Sequence, residues 1–500
     1  MNDKPFEFPD SPDFPDFPDL SRAEPKPRNP TMHTSPNLAF ANPKEISYMQ
    51  QHLLDRHLDH CRAHSPFYRT KLPQNNDLAT LPFTDKNDIA LHNEDFIAAS
   101  PQFPQFPQNS QNSQNSHSSH PLPAADISFT SGTTGKPCKI VYTRPDLERL
   151  GYNDASGFHA AGLQAGWKVL LTCTIDRCFI AGLAYFMGVQ KLGATAIRNG
   201  INTVESHAEI IASQRPEAIV GVPSFLVRLL AHLRLRKIDY HCIKKLVCIG
   251  EPLRNREMEF TTIGKKLEAF LPGAAHSTYA SSEIATSFTE CEARCGGHCP
   301  PDLAIVEIVD ENGHPVPDGE IGEVVVTPLQ VTGTPLVRFR TGDISFIVGR
   351  QCACGRNTPR LGPIIGRKAH MLKIKGTLLF PSAIHSILDD LPEVSEYFLS
   401  ASGDELSETL EISVAGHPTK DRVVGCRSSV VGSTFDFRQP TTDTPDSLDV
   451  KHIEELIYSR TRVRLPVREV SHAEAQQLIY GASRKPVRFF DHRGAQASSL

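Results

Sequence analysis

The stretch SFTSGTTGKP, residues 128–137, combines hydroxyl groups, glycines and a cation at high density. A short apolar run precedes it and Ile140-Val141-Tyr142 follows it, so the sequence predicts two strands joined by a flexible loop. Glycines allow close backbone approach, while hydroxyls, N–H groups and a lysine suit a polyphosphate. The expected phosphate-binding residues are Thr130, Ser131, Gly132, Thr133, Thr134, Gly135 and Lys136. The loop lacks the Gly-Lys-Ser/Thr ending of a Walker motif, and a polar surface turn is the alternative interpretation.

A chain of 500 residues with moderate apolar content predicts a soluble protein of two or more domains. Its net charge of −5 at pH 7 provides no general attraction for nucleic acid or for an anionic membrane. No apolar run approaches the roughly 20 residues that span a bilayer, and the acidic, proline-rich N-terminus does not resemble a signal peptide. We therefore expect a cytoplasmic protein, whose 12 cysteines are free thiols or metal ligands.

The chain alternates between low-complexity and patterned segments. Residues 1–40 repeat Phe-Pro-Asp and predict a disordered tail, and residues 101–120 predict an inserted loop. Between about 124 and 365, strand-like apolar runs alternate with amphipathic segments, which indicates α/β layers. The predicted domains are a large α/β domain of layered sheets and helices at 41–366 and a small, mobile α/β domain at 367–500.

Two motifs downstream of the loop supply carboxylates. STYASSE, residues 277–283, ends in Glu283, whose oxygens suit an Mg²⁺ ion that bridges ATP phosphates. VRFRTGD, residues 337–343, places Asp343 after a Thr-Gly turn, where an ionised carboxylate can accept both ribose hydroxyls. The other residues of STYASSE that we expect near the nucleotide are Tyr279, which can stack on adenine, and Ala280, Ser281 and Ser282. The alternatives are a turn with a solvated glutamate and a strand-end aspartate that caps a turn.

Cysteine and histidine cluster in two loops, CEARCGGHC at 291–299 and CACG at 352–355. Two such loops can close a tetrahedral Zn²⁺ site, which has no open position when its role is structural. The predicted ligands are Cys291, His298, Cys352 and Cys354, with Cys295 in reserve. A chance cluster of reduced thiols is the alternative.

Several of these motifs, in this order, resemble those of adenylate-forming enzymes, the acyl-CoA synthetase superfamily. Within it the chain is most similar to phenylacetate–CoA ligases, and the similarity covers roughly 45–425. The segments that carry the closer resemblance are HSPFYR (64–69), LPFTDKNDI (81–89), LGATAIRNG (192–200), ECEARCGGH (290–298), DGEIGEVVVTPL (318–329) and KGTLLFPSAI (375–384).

The resemblance implies roles for three further segments. In IGEPL, the residues Gly250, Glu251 and Pro252 would form the wall of an adenine pocket. Arg367 would reach the ribose or the phosphates. Lys485 aligns with the lysine that stabilises the adenylation transition state, although a solvated basic tail is the alternative.

The segment IGRKAHMLKIKG, residues 365–376, resembles the hinge between the two domains of these enzymes. Relatives carry acidic residues after Gly-Arg-x, and Ala369 and His370 stand in those places here. The hinge is therefore recognisable as a segment, while the residue at which it turns is open.

The resemblance further implies the adenylate-forming fold and a two-step reaction that uses ATP, Mg²⁺ and coenzyme A. A carboxylic acid attacks the α-phosphate and releases pyrophosphate, and a thiol then displaces AMP while the small domain rotates. Phe179, Tyr185 and Phe186 suit an aromatic acid, although such residues are often core. The alternatives are an enzyme that loads a carrier protein or modifies a cofactor, and a non-catalytic, zinc-stabilised nucleotide-binding protein; a monomer and a homodimer are both open.

Overall fold

The computed structural model describes residues 35, 37–99, 122–130, 138–374, 377–403, 408–417, 448–480 and 487–493. These residues belong to one compact unit. The end of the predicted tail differs from expectation, because Leu38–Phe40 form a 3-10 turn in which Leu38 is buried. The rest of the tail, before residue 35, and the predicted loop at 101–120 lie outside the described residues.

Most of the helices begin where the sequence supplies a capping side chain or a proline, although α4 and α6 have neither. Asn42 accepts hydrogen bonds from the N–H groups of Lys44 and Glu45, and Thr143 and Asp146 form a reciprocal capping box. None of the helices in the described ranges is long and apolar enough to cross a membrane. The helices are α1 (Pro43–His64), α2 (Pro66–Lys71), α3 (Lys86–Leu91), α4 (Asn93–Phe96), α5 (Arg144–Ala160), α6 (Ile180–Lys191), α7 (Val204–Gln214), α8 (Pro223–Leu235), α9 (Thr262–Phe270), α10 (Pro381–Asp389), α11 (Val450–Thr461) and α12 (His472–Tyr480).

The strands form several sheets, and the first two strands flank the predicted phosphate loop. They pair antiparallel, with Thr130 opposite Cys138, which matches the two predicted strands, while residues 131–137 between them lie outside the described residues. The strands are β1 (Ala124–Thr130), β2 (Cys138–Thr143), β3 (Lys168–Leu171), β4 (Thr195–Arg198), β5 (Ala218–Gly221), β6 (Lys245–Ile249), β7 (Ala275–Ser281), β8 (Thr286–Glu290), β9 (Gly297–His298), β10 (Ala304–Val309), β11 (Gly322–Pro328), β12 (Phe339–Ser345), β13 (Ile347–Gly349), β14 (Arg360–Leu361), β15 (Gly366–Arg367), β16 (Leu372–Ile374), β17 (Thr377–Leu379), β18 (Val394–Ser402), β19 (Thr409–Gly416), β20 (Val467–Glu469) and β21 (Phe489–Asp491).

The largest sheet has the order β13-β14-β9-β8-β7-β6-β5-β3-β4. Its strands β4, β3, β5, β6 and β7 run parallel, and the inner strands β3, β5 and β6 are mostly apolar and buried because helices cover both faces. Leu170 and Leu246 point into a core shared with α7, α8 and α9. Val169 and Val247, on the opposite face, pack with residues of α5 and α6. The alternation of side chains along each strand thus builds two cores on one sheet.

The described residues also form two four-stranded sheets. β10, β11, β12 and β15 form an antiparallel sheet, and β20, β19, β18 and β21 form a mixed sheet that packs on α10, α11 and α12. Ile384 of α10, Leu399 of β18 and Ile453 of α11 are fully or almost fully buried in this C-terminal core. The predicted α/β class, with layered sheets and helices and a smaller C-terminal α/β part, is confirmed, and the boundary between 366 and 367 stays a prediction.

Candidate nucleotide and metal sites

The candidate nucleotide site lies where β6 and β7 end. These strands run parallel with Ile249 beside Thr278, so Gly250-Glu251-Pro252 and Tyr279-Ala280-Ser281 lie side by side at the carboxyl edge of the sheet. Ligands of open α/β sheets bind at this edge. The fold therefore brings together two motifs that lie about 30 residues apart in the chain.

Glu251 holds the start of α8 in place. Its two carboxylate oxygens accept hydrogen bonds from the N–H and the hydroxyl of Ser224, each at 2.8 Å. Negative charge is favourable there because the first N–H groups of a helix lack intrahelical partners. Gly250 turns the backbone at the end of β6 with a φ of +76°, a conformation that favours glycine. Glu251 thus shapes the edge of the site by anchoring the neighbouring helix.

Tyr279 connects the largest sheet to the antiparallel sheet. Its hydroxyl donates a hydrogen bond to Asp343 Oδ2 on β12 at 2.8 Å. Burial, and then the negative charge of Asp343, raise the pKa of Tyr279 well above its usual value, so the phenol remains a donor. The ring packs against Phe288 with centroids 6.0 Å apart. Its stacking on adenine stays a prediction.

Arg367 lies directly opposite Asp343 in the β12–β15 pair. Its Nε atom is 3.4 Å from Asp343 Oδ1. The arginine side chain is 54% exposed and the aspartate side chain 13%, so a recessed carboxylate lies behind an accessible guanidinium. Each Asp343 oxygen has one close partner, and its remaining lone pairs can accept ribose hydroxyls.

Glu283 lies in the turn between β7 and β8, and its side chain is only 6% exposed. Lys86 Nζ is 3.4 Å from Glu283 Oε1. This lysine is the first residue of α3, whose start is fixed by a capping box between Asp85 and Asp88. A buried carboxylate is costly without a counter-charge, and Lys86 supplies one beside the predicted Mg²⁺ ligand. Lys86 was not predicted from the sequence, although it lies in the motif LPFTDKNDI, because nothing in that motif indicates a contact with Glu283.

The turn that carries Glu283 also presents an unpaired hydroxyl. Ser281 Oγ is buried and has no hydrogen-bond partner among the described residues. Buried hydroxyls are rarely left unpaired. The Ser282 carbonyl accepts a hydrogen bond from the Tyr142 hydroxyl at 2.9 Å, which ties this turn to β2. A buried donor between Tyr279 and Glu283 fits a polar ligand at this position.

Part of the predicted site falls outside the described residues. Thr130 is the last described residue before the loop, at the end of β1. The residues outside are Ser131, Gly132, Thr133, Thr134, Gly135, Lys136 and Lys485. Their roles stay predictions.

The second candidate site is the Cys/His cluster. One ligand atom from each of Cys291, His298, Cys352 and Cys354 lies within 4.8 Å of the others. The Sγ atoms of Cys291 and Cys352 are 3.6 Å apart, and Cys354 Sγ is 3.4 Å from His298 Nε2. Ligands placed tetrahedrally around Zn²⁺ at ~2.0–2.3 Å lie about 3.5 Å from one another, so these separations suit zinc. Cys295, the reserve ligand, is not among the four.

Strand pairing explains why the two loops meet. β9, which carries His298, pairs with both β8 and β14, so the loop after β8 and the loop before β14 converge. His298 Nδ1 lies 2.9 Å from Thr358 Oγ1, which leaves Nε2 to face the cysteines. Burial lowers the pKa of His298 to about 3, so its ring is neutral, as a metal ligand requires.

The aromatic residues predicted for an acid pocket occupy different environments. Tyr185 is 3% exposed and belongs to the core between α6 and the largest sheet, which is the alternative interpretation. Phe186 packs against the Arg198 guanidinium, 5.2 Å from the ring centroid. Phe179, immediately before α6, is 41% exposed and is the most open of the three.

The chain is similar in sequence and in fold to known proteins. A phenylacetate-coenzyme A ligase from Thermus thermophilus is 29% identical over 383 residues, which cover 73% of this chain and 80% of that protein. The phenylacetate-coenzyme A ligase of Pseudomonas putida is 28% identical over 389 residues, covering 73% and 82% of the two chains. A crystal structure of 2-hydroxyisobutyryl-CoA ligase in the postadenylation state has a TM-score of 0.69, with 18% identity and coverage of 93% and 94%. At that identity the structural likeness shows the fold alone.

Residues 47–333 of this chain match the family described as AMP-binding enzyme. This region includes the predicted phosphate loop, the Glu251 turn and the Glu283 turn. The family and the relatives together support an AMP-forming acid–CoA ligase that uses ATP and CoA. The match spans more than half of the 500 residues, and the chain therefore belongs to the AMP-binding enzyme family.

Proposed function

We propose that this protein activates phenylacetate or a related aromatic acid as an acyl-adenylate and transfers the acyl group to coenzyme A. The observation that carries the proposal is the contact between Tyr279, Asp343 and Arg367 beside the buried Glu283, at the carboxyl edge of the largest sheet. The relatives named phenylacetate-coenzyme A ligases support the aromatic acid and CoA as the acceptor.

In the first step, a carboxylate oxygen of the acid bonds to the α-phosphorus of ATP, and the bond to the β-phosphate oxygen breaks. Residues 130–136 would hold the β- and γ-phosphates, which leave as pyrophosphate. Glu283 would hold Mg²⁺, which when bound neutralises phosphate charge, and Lys86 would supply a counter-charge and orient Glu283. Lys485 would donate to the oxygens on which charge develops. Positioning and charge neutralisation thus replace a protein nucleophile.

The nucleoside would be held by residues on two strands of the antiparallel sheet. Asp343 would accept the ribose hydroxyls, and Arg367 would balance its charge from the accessible side. Gly250-Glu251-Pro252 would form one wall of the adenine pocket. In the second step, the CoA thiolate attacks the acyl carbon and AMP leaves, after the part of the chain from 367 to 500 has rotated and removed Lys485.

Zn²⁺ would occupy the Cys/His cluster in a structural role. Three cysteines and one histidine complete a tetrahedral set with no open position, so the metal would not take part in the reaction. Bound there, it would join the ends of β8 and β9 to the loop before β14. The hydrogen bond between His298 Nδ1 and Thr358 Oγ1 supports this assignment, because a metal-binding histidine commonly donates its other ring N–H to a second partner.

The test is pyrophosphate exchange into ATP with a panel of aromatic and aliphatic acids. We expect exchange that depends on phenylacetate or a related aromatic acid. Lys485→Ala should lower it about 100-fold or more, while thioester formation from preformed phenylacetyl-adenylate and CoA is largely kept. Lys451→Ala, at an exposed position of α11, is the matched control and should behave as wild type. Absence of exchange with every acid would show that the proposed function is wrong.

A further inference from the structure

Arg493 lies two residues after β21, in a basic segment of the kind that is usually solvated. Its guanidinium instead contacts two carboxylates and two backbone carbonyl oxygens. Its guanidinium pairs with Glu408 at 2.6 Å and with Asp491 at 2.7 Å. It also donates hydrogen bonds to the carbonyl oxygens of Ala369 at 2.6 Å and Met371 at 2.8 Å. The side chain is only 15% exposed, so Arg493 is a structural contact and not a solvated tail residue.

The residues just before Ala369 have different partners. Gly366 and Arg367 form β15 and pair with β12, where Arg367 meets Asp343. Lys368 Nζ lies 3.1 Å from Glu323 Oε2 on β11. Residues 366–368 are therefore bound to the antiparallel sheet that carries the candidate ribose site.

The residues from 369 onwards are bound to the C-terminal sheet. The N–H of Lys373 donates to Glu408, the same carboxylate that pairs with Arg493. The ring of His370 lies 5.0 Å from that of Phe489 on β21. The change of partner between the two sheets thus falls within the 3-10 turn Lys368–His370, in which the Met371 N–H donates to the Lys368 carbonyl oxygen.

We propose that Arg493 is a positioning residue that fastens residues 369–371 to the C-terminal sheet and makes the start of this turn, at Lys368, the pivot of the rotation. A guanidinium has five donors in a rigid fork, and two carbonyls and two carboxylates engage them here. The inference rests on the proposed function, in which Lys485 must enter and leave the site. Without Arg493 the motion would spread over the whole hinge segment, and Lys485 would be placed less accurately.

This arrangement also explains the unusual hinge sequence. Ala369 contributes its backbone carbonyl and not its side chain, so an acidic residue is not required there. The cation that holds the hinge comes from 124 positions later in the chain. Its partners Glu408 and Asp491 belong to the C-terminal part as well, so the contact is kept whichever way that part rotates.

The experiment compares Arg493→Ala and Arg493→Lys with Arg464→Ala, which removes an exposed arginine paired with Glu455. Amide hydrogen exchange is measured at 366–368, at 369–373 and in the β18–β19 pair, together with both half-reactions. We expect Arg493→Ala to speed exchange at 369–373 about 10-fold or more, with the other two regions unchanged. Pyrophosphate exchange should fall about 10- to 100-fold in kcat while the KM for ATP changes less than about twofold.

Arg493→Lys keeps the charge but not the fork, and it should lie between wild type and Arg493→Ala in both measurements. Arg464→Ala should match wild type. The proposal would be overturned if Arg493→Ala showed the same amide protection and the same rates as wild type. It would also be overturned if protection were lost in the β18–β19 pair, or if the KM for ATP rose by the same factor by which kcat fell. If the wild type lacks pyrophosphate exchange, the proposed function fails, while the hydrogen-exchange comparison still decides the role of Arg493. If Arg493→Ala does not fold, Arg493→Lys carries the same test.

Discussion

The two candidate sites lie at opposite ends of β8, and they differ in how many of their buried polar groups have a hydrogen-bond or ion-pair partner. Before β8, the buried Glu283 faces Lys86, and Ser281 Oγ lacks a partner in the described ranges. After β8, His298 is oriented by Thr358 and three cysteines already lie at distances that suit zinc. The first arrangement suits a ligand that is exchanged at each turnover, and the second suits a metal that stays bound.

The strand between the two sites is itself held rigidly. The N–H of Ser287, in the middle of β8, donates to Asn153 Oδ1 at 2.6 Å, and its hydroxyl donates to Asp154 at 2.7 Å. Both partners belong to α5 and are buried. Because the middle of β8 is fixed to α5, a change at one end of the strand should leave the other end in place. Its effect on stability and its effect on nucleotide binding can therefore be measured separately.

The largest effect is expected at the metal cluster. Cys352→Ser should lower the zinc content and reduce the free energy of unfolding by about 4 kcal/mol or more, because loss of a metal is among the most destabilising single changes. The KM for ATP of the folded variant should stay near that of wild type. Metal analysis and urea unfolding measure this, with Cys295→Ser as the control outside the cluster. A wild type without metal, whose stability does not respond to chelator, would rule the zinc site out.

At the other end of β8, Asp343→Asn should lower kcat/KM for ATP in pyrophosphate exchange about 100- to 1000-fold, equal to about 3–4 kcal/mol. The amide removes the charge that faces Arg367 and the strong acceptor for Tyr279 and for ribose. Zinc content should not change. Asp318→Asn, which alters a surface pair with Arg350, is the control. An unaffected KM and kcat would remove Asp343 from the nucleotide site.

The smallest effect concerns the middle of β8. Burial raises the pKa of Asp154 from 3.8 to about 7, so the folded protein holds this proton more tightly than the unfolded chain. The stability that this proton contributes is fully present below about pH 4 and is lost as the pH rises through about 7. Asp154→Asn should therefore be more stable than wild type by about 3 kcal/mol at pH 6 and equal to it below about pH 4. Urea unfolding across this range measures the difference, and parallel curves for the two proteins would contradict the prediction.

Local patterns predicted much of this molecule. The apolar runs at Val169-Leu170-Leu171 and Leu246-Val247-Cys248-Ile249 indicated strands of an α/β fold, and both are strands of the largest sheet. The zinc ligands were predicted from chemistry because thiols and imidazole have few other reasons to cluster in two loops. The four predicted side chains lie together in the structure.

Contacts between distant segments could not be predicted in this way. Lys86 meets Glu283, and Arg493 meets Ala369, although no periodicity or turn signal connects these pairs. The engagement of Glu251 with Ser224 is a helix cap supplied from 27 residues away, whereas capping rules describe only neighbouring residues. Tyr185 was open to two interpretations because an aromatic residue on a helix suits a core and a pocket equally. Only the three-dimensional arrangement decides such cases.

The most direct test follows one oxygen atom. Phenylacetate labelled with ¹⁸O in its carboxylate is converted with ATP and CoA, and AMP, pyrophosphate and any phosphate are analysed by mass spectrometry. Attack on the α-phosphorus predicts one labelled oxygen in AMP and none in pyrophosphate, because the thiolate displaces the adenylate at the acyl carbon. Label in inorganic phosphate, with ADP as the nucleotide product, would instead show attack on the terminal phosphate and would contradict acyl-adenylation at the site formed by Glu283 and Asp343.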